Sequence, residues 1–145
     1  MKAIDYFTPE QRERIKQTVH EAESITSGEI RVYIEDKCKT DVLDRAAFVF
    51  AEMMMHKTAT RNGVLIYLAL EDKKFAIIGD VGIHAKVGDD FWNSIKERMA
   101  ENFKQSRFTD GLIEAITEAG EALQKFFPYT EGDKNELSDD LEFGK

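Results

Sequence analysis

One stretch of seven apolar residues constrains the fold more than any other part of this chain. Residues 64–70, VLIYLAL, follow the turn signal Arg61, Asn62 and Gly63 and contain no charged side chain. A strand with one face in water would alternate apolar and polar residues, so an unbroken run is typical of a strand covered on both faces. Such a strand needs helices on each side of its sheet, which predicts an α/β fold.

Periodicity in the flanking segments indicates the other elements. Thr8 and Pro9 mark a helix start, and residues 29–35 alternate as a strand does. Apolar residues at helical spacing predict three further helices, and a polar reversal after residue 70 predicts a hairpin. The order of these elements predicts an α/β/α sandwich, with a small mixed sheet of three to four strands flanked by about four helices.

The length of 145 residues is that of one domain. We assign residues 1–128 to a single domain, whose last predicted helix ends at Pro128. Residues 129–145 contain six acids and two lysines after Tyr129, show no periodicity, and are predicted to form an acidic, mobile C-terminal tail.

Composition excludes several classes of partner. The chain has 20 basic and 28 acidic residues and a net charge of -8, which would repel a phosphate backbone, so we expect no nucleic-acid partner. No apolar run approaches the ~18 residues of a membrane span, which predicts no membrane insertion. Cys38 is the single cysteine, and the N-terminus lacks the apolar core of a signal peptide. These features predict a cytoplasmic location.

The motifs of common phosphate chemistry are missing. Gly79, Gly82 and Gly88 do not form the G-x-G-x-x-G pattern of dinucleotide folds, and no G-K-[ST] sequence is present. The cysteine-phosphatase pattern C-x5-R that begins at Cys38 would need arginine where Asp44 stands. No nucleophile is therefore identified, and the catalytic residues stay unknown.

Histidines and methionines receive structural assignments. His20 and His56 lie on predicted helices without partners at metal spacing, and His84 differs only in its acidic surroundings. Residues 53–55 are consecutive methionines, which are usually adaptable core residues. We therefore assign these methionines to packing.

Carboxylates concentrate in two segments of the chain. We call residues 35–44, EDKCKTDVLD, the first acidic segment and residues 79–90, GDVGIHAKVGDD, the second acidic segment. If their strands are parallel, both segments lie at one edge of the sheet, where their oxygens suit one Ca²⁺ ion or two better than Mg²⁺. The alternative is that several of these acids are helix caps and first-turn residues. The candidate metal ligands are Glu35, Asp36, Asp41, Asp44, Asp80, Asp89 and Asp90.

Three stretches together resemble a known family. They are RNGVLIYLALEDKKFAIIGDVGI, the acidic helix start GDDFW, and RFTDGLIEAITEAGEAL. Their order and spacing over about residues 8–127 are similar to the TPM domain family, which includes thylakoid lumen proteins, a photosystem II repair protein and many bacterial proteins. The N-G-V-L-I strand matches at residues 62–66, and the F-x-x-G-L helix matches at Phe108, Gly111 and Leu112.

The resemblance implies an α/β/α sandwich, divalent-metal binding in some members, and an acid phosphatase activity in a plant relative. It implies a family position at Asp89 or Asp90, in the acidic helix start. The second acidic segment departs from the family pattern, since it reads G-D-x-G-I-H where many members have G-x-G followed by an acid.

These observations predict a stand-alone, bacterial TPM-like domain that binds divalent cations, with Ca²⁺ favoured, at its acidic loops. The domain would act as a metal-responsive regulatory or interaction module with a protein partner that the sequence does not identify. The alternative is a weak metal-dependent phosphomonoester hydrolase, for which Arg61, Lys86 and Arg107 are the candidate phosphate-binding cations.

Overall fold

A computed structural model of the chain describes residues 2–129 and 141–144. The first half of the chain contains a 3-10 turn at Ala3–Tyr6, α1 (Pro9–Glu23), β1 (Glu29–Glu35), α2 (Val42–Glu52) and a 3-10 turn at Met55–Lys57. The second half contains β2 (Gly63–Ala69), β3 (Lys74–Gly79), α3 (Val81–Lys104), α4 (Phe108–Phe126) and β4 (Leu141–Phe143). The predicted helix start is confirmed, because Thr8 is the N-cap directly before Pro9 and forms a reciprocal capping box with Gln11.

The four strands form one mixed sheet in the order β3-β2-β1-β4. β1 is parallel to both β2 and β4, whereas β2 and β3 form an antiparallel hairpin. The predicted mixed α/β fold is therefore confirmed, with the apolar run in a central strand. Every residue of β2 is buried, as the unbroken apolar run indicates.

The two faces of β2 belong to different hydrophobic clusters. Val64, Ile66 and Leu68 pack with residues of α1, α3 and α4 in the larger cluster. Leu65 and Tyr67 point to the opposite face and pack with α2 in a smaller cluster. Each face of the sheet therefore has its own helical layer. One layer contains α1, α3 and α4, and the other contains α2.

The C-terminal residues contribute an edge strand that the sequence did not predict. Leu141 pairs with Val32 and Phe143 with Ile34, and the Gly144 N–H donates to the Ile34 carbonyl at 2.7 Å. A three-residue strand is too short to show a periodic pattern, and backbone hydrogen bonds to β1 hold it in place. The remainder of the predicted mobile tail, residues 130–140 and 145, lies outside the described residues.

The second acidic segment is mostly helical, where the sequence predicted a loop. α3 begins at Val81, directly after β3, and Gly88 breaks the helix with a φ of 75° and a ψ of 176°. Only glycine adopts this conformation readily, so Gly88 lets the helix change direction before Asp89. In this segment Gly88 turns the helix, and Gly82 allows close packing against the backbone of residues 60–61.

Among residues 2–129 and 141–144, no helix combines the length and the apolar composition that crossing a bilayer requires.

We predict that Gly82→Ala destabilises the fold although alanine favours a helix. A Cβ atom at position 82 would lie 2.1 Å from the Thr60 carbonyl oxygen and 2.6 Å from the Arg61 carbonyl oxygen. Displacing this backbone should lower the free energy of unfolding by about 2 kcal/mol or more, which exceeds the gain of about 1 kcal/mol in helix propensity. Urea unfolding measures the difference.

The matched control is Lys86→Ala, an exposed position in the same part of α3, where we expect a change within about 0.5 kcal/mol. A Gly82→Ala variant as stable as the control would contradict the close contact between α3 and the 60–61 backbone.

Candidate functional site

The structure places the two acidic segments at opposite edges of the sheet. Glu35 pairs with Ala69, so β1 and β2 end together. β3 is antiparallel to β2, and Gly79 therefore lies beside Val64, near the start of β2. Five strand residues at about 3.3 Å each separate the two edges by roughly 17 Å. A single ion cannot bridge the two segments, and the premise that their strands are parallel is wrong.

Glu35 anchors a buried polar cluster at the end of β1. Its carboxylate accepts two hydrogen bonds of 2.8 Å from the Arg45 guanidinium, through Nε and Nη2. The Tyr67 hydroxyl donates a third hydrogen bond to Glu35 Oε2. Arg45 enters from the first turns of α2 and Tyr67 from the centre of the sheet, so the cluster ties α2 to β1 and β2.

The same contacts perturb the ionisation of both partners. Burial raises the pKa of the Tyr67 phenol, and hydrogen bonding to Glu35 and Cys38 raises it further. The hydrogen bonds to Glu35 raise the pKa of the Arg45 guanidinium. Tyr67 is thus kept protonated as a donor and Arg45 charged, which suits a fixed ion pair better than a proton-transfer site.

Several other oxygens of the first acidic segment have protein partners. The Lys74 ammonium donates to the carbonyl oxygens of Cys38 at 3.0 Å and Thr40 at 3.2 Å. Asp36 accepts a hydrogen bond from the Ala3 backbone N–H. A lysine thus occupies the position in which a cation would meet these carbonyls.

The two acids at the start of α2 have the role that helix capping predicts. Asp41 is the N-cap of α2 and accepts hydrogen bonds of 3.1 Å from the backbone N–H groups of Leu43 and Asp44. Asp44 is exposed in the first turn of the helix. A negative charge at either position is favourable because it faces the positive end of the helix dipole.

At the opposite edge, Asp80 is buried and paired with Arg61. The guanidinium donates two hydrogen bonds to the carboxylate, at 2.6 Å from Nε and 2.7 Å from Nη2. Asp80 also accepts from the Val81 N–H at 2.8 Å, as the N-cap of α3. The hydrogen bonds to Asp80 raise the pKa of Arg61, and Asp80 is thereby used as a cap and ion-pair partner.

Asp89 and Asp90 differ from the other acids because both are exposed at the break in α3. The Asp89 side chain is 86% exposed, and one of its oxygens lies 3.5 Å from His84 Nε2. His84 Nδ1 in turn accepts a hydrogen bond of 3.0 Å from the Trp92 indole N–H. His84 therefore packs the two halves of α3 together, which agrees with its structural assignment.

The candidate phosphate-binding cations do not converge on one point. Arg61 is bound to Asp80, and Arg107 donates to the Asn102 side chain at 3.2 Å, at the start of α4. Lys86 lies instead in a groove between α3 and α4. Within the described ranges, no three His, Cys, Asp or Glu side chains are grouped so as to hold a metal ion.

Sequence reasoning missed Arg45, Tyr67 and Lys74, which are the partners of the first acidic segment. The only available signal was the alternation of β1, which places Glu35 on the same face as Arg31 and Tyr33. That pattern indicates a polar stripe but does not identify the residues that neutralise it. The partners come from strands and a helix brought together only by the fold.

Comparison with known proteins agrees with this architecture. The family model described as TPM domain matches residues 2–122, and the chain belongs to this family. The solution structure of the BA42 protein from the psychrophilic bacterium Bizionia argentinensis is 44% identical, with a TM-score of 0.87 and coverage of 95% of both chains. The N-terminal domain of a protein from P. gingivalis shares the fold, with 17% identity, a TM-score of 0.68, and coverage of 82% of this chain and 77% of that one. No curated protein matches the chain.

We predict that Tyr67→Phe destabilises the protein and changes its response to alkaline pH. At neutral pH the loss of the hydrogen bond to Glu35 should lower the free energy of unfolding by about 1.5–3 kcal/mol. Because the folded state raises the pKa of Tyr67, its contribution is complete below the unfolded-state value of about 10 and is lost as pH rises above it. The wild type should therefore lose stability more steeply than the variant above about pH 10.

Denaturant melts between neutral and strongly alkaline pH measure both effects. Tyr129→Phe is the control, because Tyr129 is 52% exposed and its hydroxyl should contribute less than about 0.5 kcal/mol. Parallel pH profiles for wild type and Tyr67→Phe would show that the phenol is not held protonated by the fold.

Proposed function

We propose that this TPM domain acts by binding rather than by catalysis, and that a divalent cation, with Ca²⁺ favoured, is its ligand at Asp89 and Asp90. One observation carries the proposal: these adjacent carboxylates are exposed at the break in α3. Within the described residues, neither forms an ion pair with lysine or arginine. Glu35 and Asp80, by contrast, already hold an arginine each.

The chemistry of this position favours Ca²⁺ over smaller ions. Asp89 and Asp90 are adjacent in the chain, so their negative charges repel each other, and a bound divalent cation would reduce that repulsion. Ca²⁺ accepts six to eight oxygens in irregular geometry, so water can complete a shell begun by two side chains, whereas Mg²⁺ demands a near-ideal octahedron. With so few protein ligands we expect a weak site, with a dissociation constant of about a millimolar.

Such a site would respond to cation concentration by changing the charge of one surface. The bound ion would neutralise both carboxylates at the start of the second half of α3. The electrostatic potential of this surface would then differ between the free and the cation-bound protein. Because that potential affects the binding of a protein partner, the domain would act as a metal-responsive interaction module. The existence of such a partner and the cytoplasmic location stay predictions from the sequence.

We predict that Ca²⁺ shifts the backbone amide resonances around residues 88–91 and leaves the first acidic segment unchanged. At roughly tenfold excess over the dissociation constant, binding to the folded state alone should stabilise it by about 1.4 kcal/mol. NMR titration measures the shifts, and thermal melts of the protein in a chelator and in Ca²⁺ measure the stabilisation. Asp89→Asn with Asp90→Asn should abolish both.

The matched control is Asp44→Asn, which removes an exposed first-turn carboxylate from α2 and should retain the response. Shifts centred on residues 35–44 would place the ion in the other segment. The proposal fails if about 10 mM Ca²⁺, which is about tenfold above the expected dissociation constant, changes neither the amide resonances nor the melting temperature.

The alternative suggested by the family resemblance is phosphomonoester hydrolysis, and we predict no robust turnover. Phosphoryl transfer needs a positioned nucleophile and cations around one phosphate. Here the buried carboxylates are committed to arginines, and the candidate cations lie in separate places. Release of phosphate from an aryl phosphate, assayed with Ca²⁺, Mg²⁺ or Mn²⁺, tests this. Turnover that is lost in folded Asp89→Asn would reverse the ranking.

A further inference from the structure

A groove between α3 and α4 combines an apolar floor with basic side chains. Its volume is about 630 Å³, which lies within the roughly 300–1,000 Å³ typical of sites for small molecules. The short turn at residues 105–107 joins the two helices, which pack against each other as an antiparallel pair. The first half of α3 therefore lies beside the last turns of α4, and both contribute to this groove.

The floor of the groove is held in place by the larger hydrophobic cluster. Val87, Phe91 and Phe126 are partly buried, pack against that cluster and also line the groove. The Phe91 ring lies edge-to-face against the Trp92 ring, with centroids 5.0 Å apart. Because the core fixes these side chains, they form an apolar surface that exists before any ligand arrives.

The arginine of the groove is already used by the fold. The Arg98 guanidinium lies 2.6 Å from Glu118 Oε1 and donates a hydrogen bond of 3.0 Å to the Ser94 hydroxyl. Its hydrogen bond to Glu118 raises the pKa of Arg98. This ion pair connects α3 to α4, so Arg98 is not the group that would receive a ligand.

The two lysines of the groove, Lys86 and Lys125, are both exposed. Within the described part of the chain, neither forms an ion pair with an aspartate or a glutamate. Lys125 Nζ lies instead 5.2 Å from the centroid of the Phe126 ring. In a chain with a net charge of -8, these lysines place positive charge next to an apolar floor.

We propose that this groove binds a small amphipathic monoanion, namely an apolar body that carries one carboxylate. The body would lie on Phe91 and Phe126, where it would cover apolar surface that now contacts water. The carboxylate would accept hydrogen bonds from the ammonium groups of Lys86 and Lys125.

The charge of the lining favours a monoanion over a phosphate ester. Lys86, Arg98 and Lys125 face Glu118 and Glu121, which leaves a sum of +1. A dianionic phosphate would exceed that charge and would lie near both glutamates. Arginine is also the residue best suited to bidentate phosphate recognition, and the arginine here is paired with Glu118.

The exposed apolar residues on and just after α2 do not offer a comparable site. Leu43, Phe48 and Met54 are each more than half exposed, but exposed acids interrupt them and no basic side chain there complements a stated ligand. The assignment of Met54 to core packing is wrong, since Met55 is buried in its place.

NMR titration with naphthoate, an aromatic ring system with one carboxylate, tests the proposal. EDTA is present, so the result is independent of cation binding at Asp89 and Asp90. Amide shifts should be confined to residues 86–91 and 118–126, with a dissociation constant of about 1 mM for so small a ligand in an open groove. Naphthylmethanol, which has the same rings without the charge, should bind about tenfold more weakly. Naphthyl phosphate should bind no more tightly than naphthoate.

Substitutions at exposed positions test the role of charge without disturbing the core. Lys86→Gln and Lys125→Gln should each raise the dissociation constant for naphthoate about threefold, whereas Glu121→Gln should lower it about twofold. Lys104→Gln is the matched control, because Lys104 is an exposed lysine of α3 that does not line the groove. It changes the net charge by the same amount and should bind as the wild type does, while circular dichroism confirms that all four variants fold.

Four results would overturn the proposal. One is the absence of shifts in the two segments at about 5 mM naphthoate, roughly fivefold above the expected dissociation constant. The second is equal binding of naphthylmethanol, which would show that the lysines are not used. The third is tighter binding of naphthyl phosphate, and the fourth is an equal loss of affinity in Lys104→Gln and Lys86→Gln.

Discussion

The burial of β2 on both faces is the constraint on which the rest of the structure depends. Alternate residues of this strand enter two separate hydrophobic clusters, so the chain must supply helices to both sides of the sheet. The helices α1, α3 and α4 form one layer, and α2 forms the other. Because α2 is alone there, its attachment to the sheet and its exposed surface become the distinctive features of the molecule.

Ion pairs with arginine compensate the buried acids near that sheet. Burying a carboxylate is costly unless an opposite charge and hydrogen bonds compensate it. Glu35 accepts two hydrogen bonds from the Arg45 guanidinium at one edge of the sheet, and Asp80 accepts two from the Arg61 guanidinium at the other. Asp89 and Asp90, by contrast, are exposed at the break in α3, and among the described residues neither is paired with an arginine or a lysine.

The hairpin between β2 and β3, which the polar reversal after residue 70 predicts, explains why the two acidic segments do not form a common site. Both acidic segments follow strands, and two parallel strands would have brought them to one edge. The short reversal after residue 70 instead makes β3 antiparallel, which carries the second segment to the far edge. Likewise, apolar spacing in residues 43–54 predicted the helix but not which side of it faces water, since apolar residues occur on nearly all sides of α2.

The sequence by itself determined the elements whose signal is local. The unbroken run of β2, the alternation of β1 and the capping box before α1 each depend on near neighbours, and together they indicated the fold class and the family. Tertiary structure alone decided the pairing of Glu35 with Arg45 and Tyr67, the addition of β4 and the exposure of Leu43, Phe48 and Met54. These features depend on contacts between distant segments, and a local pattern contains no information about which distant side chain will neutralise a charge or cover a face.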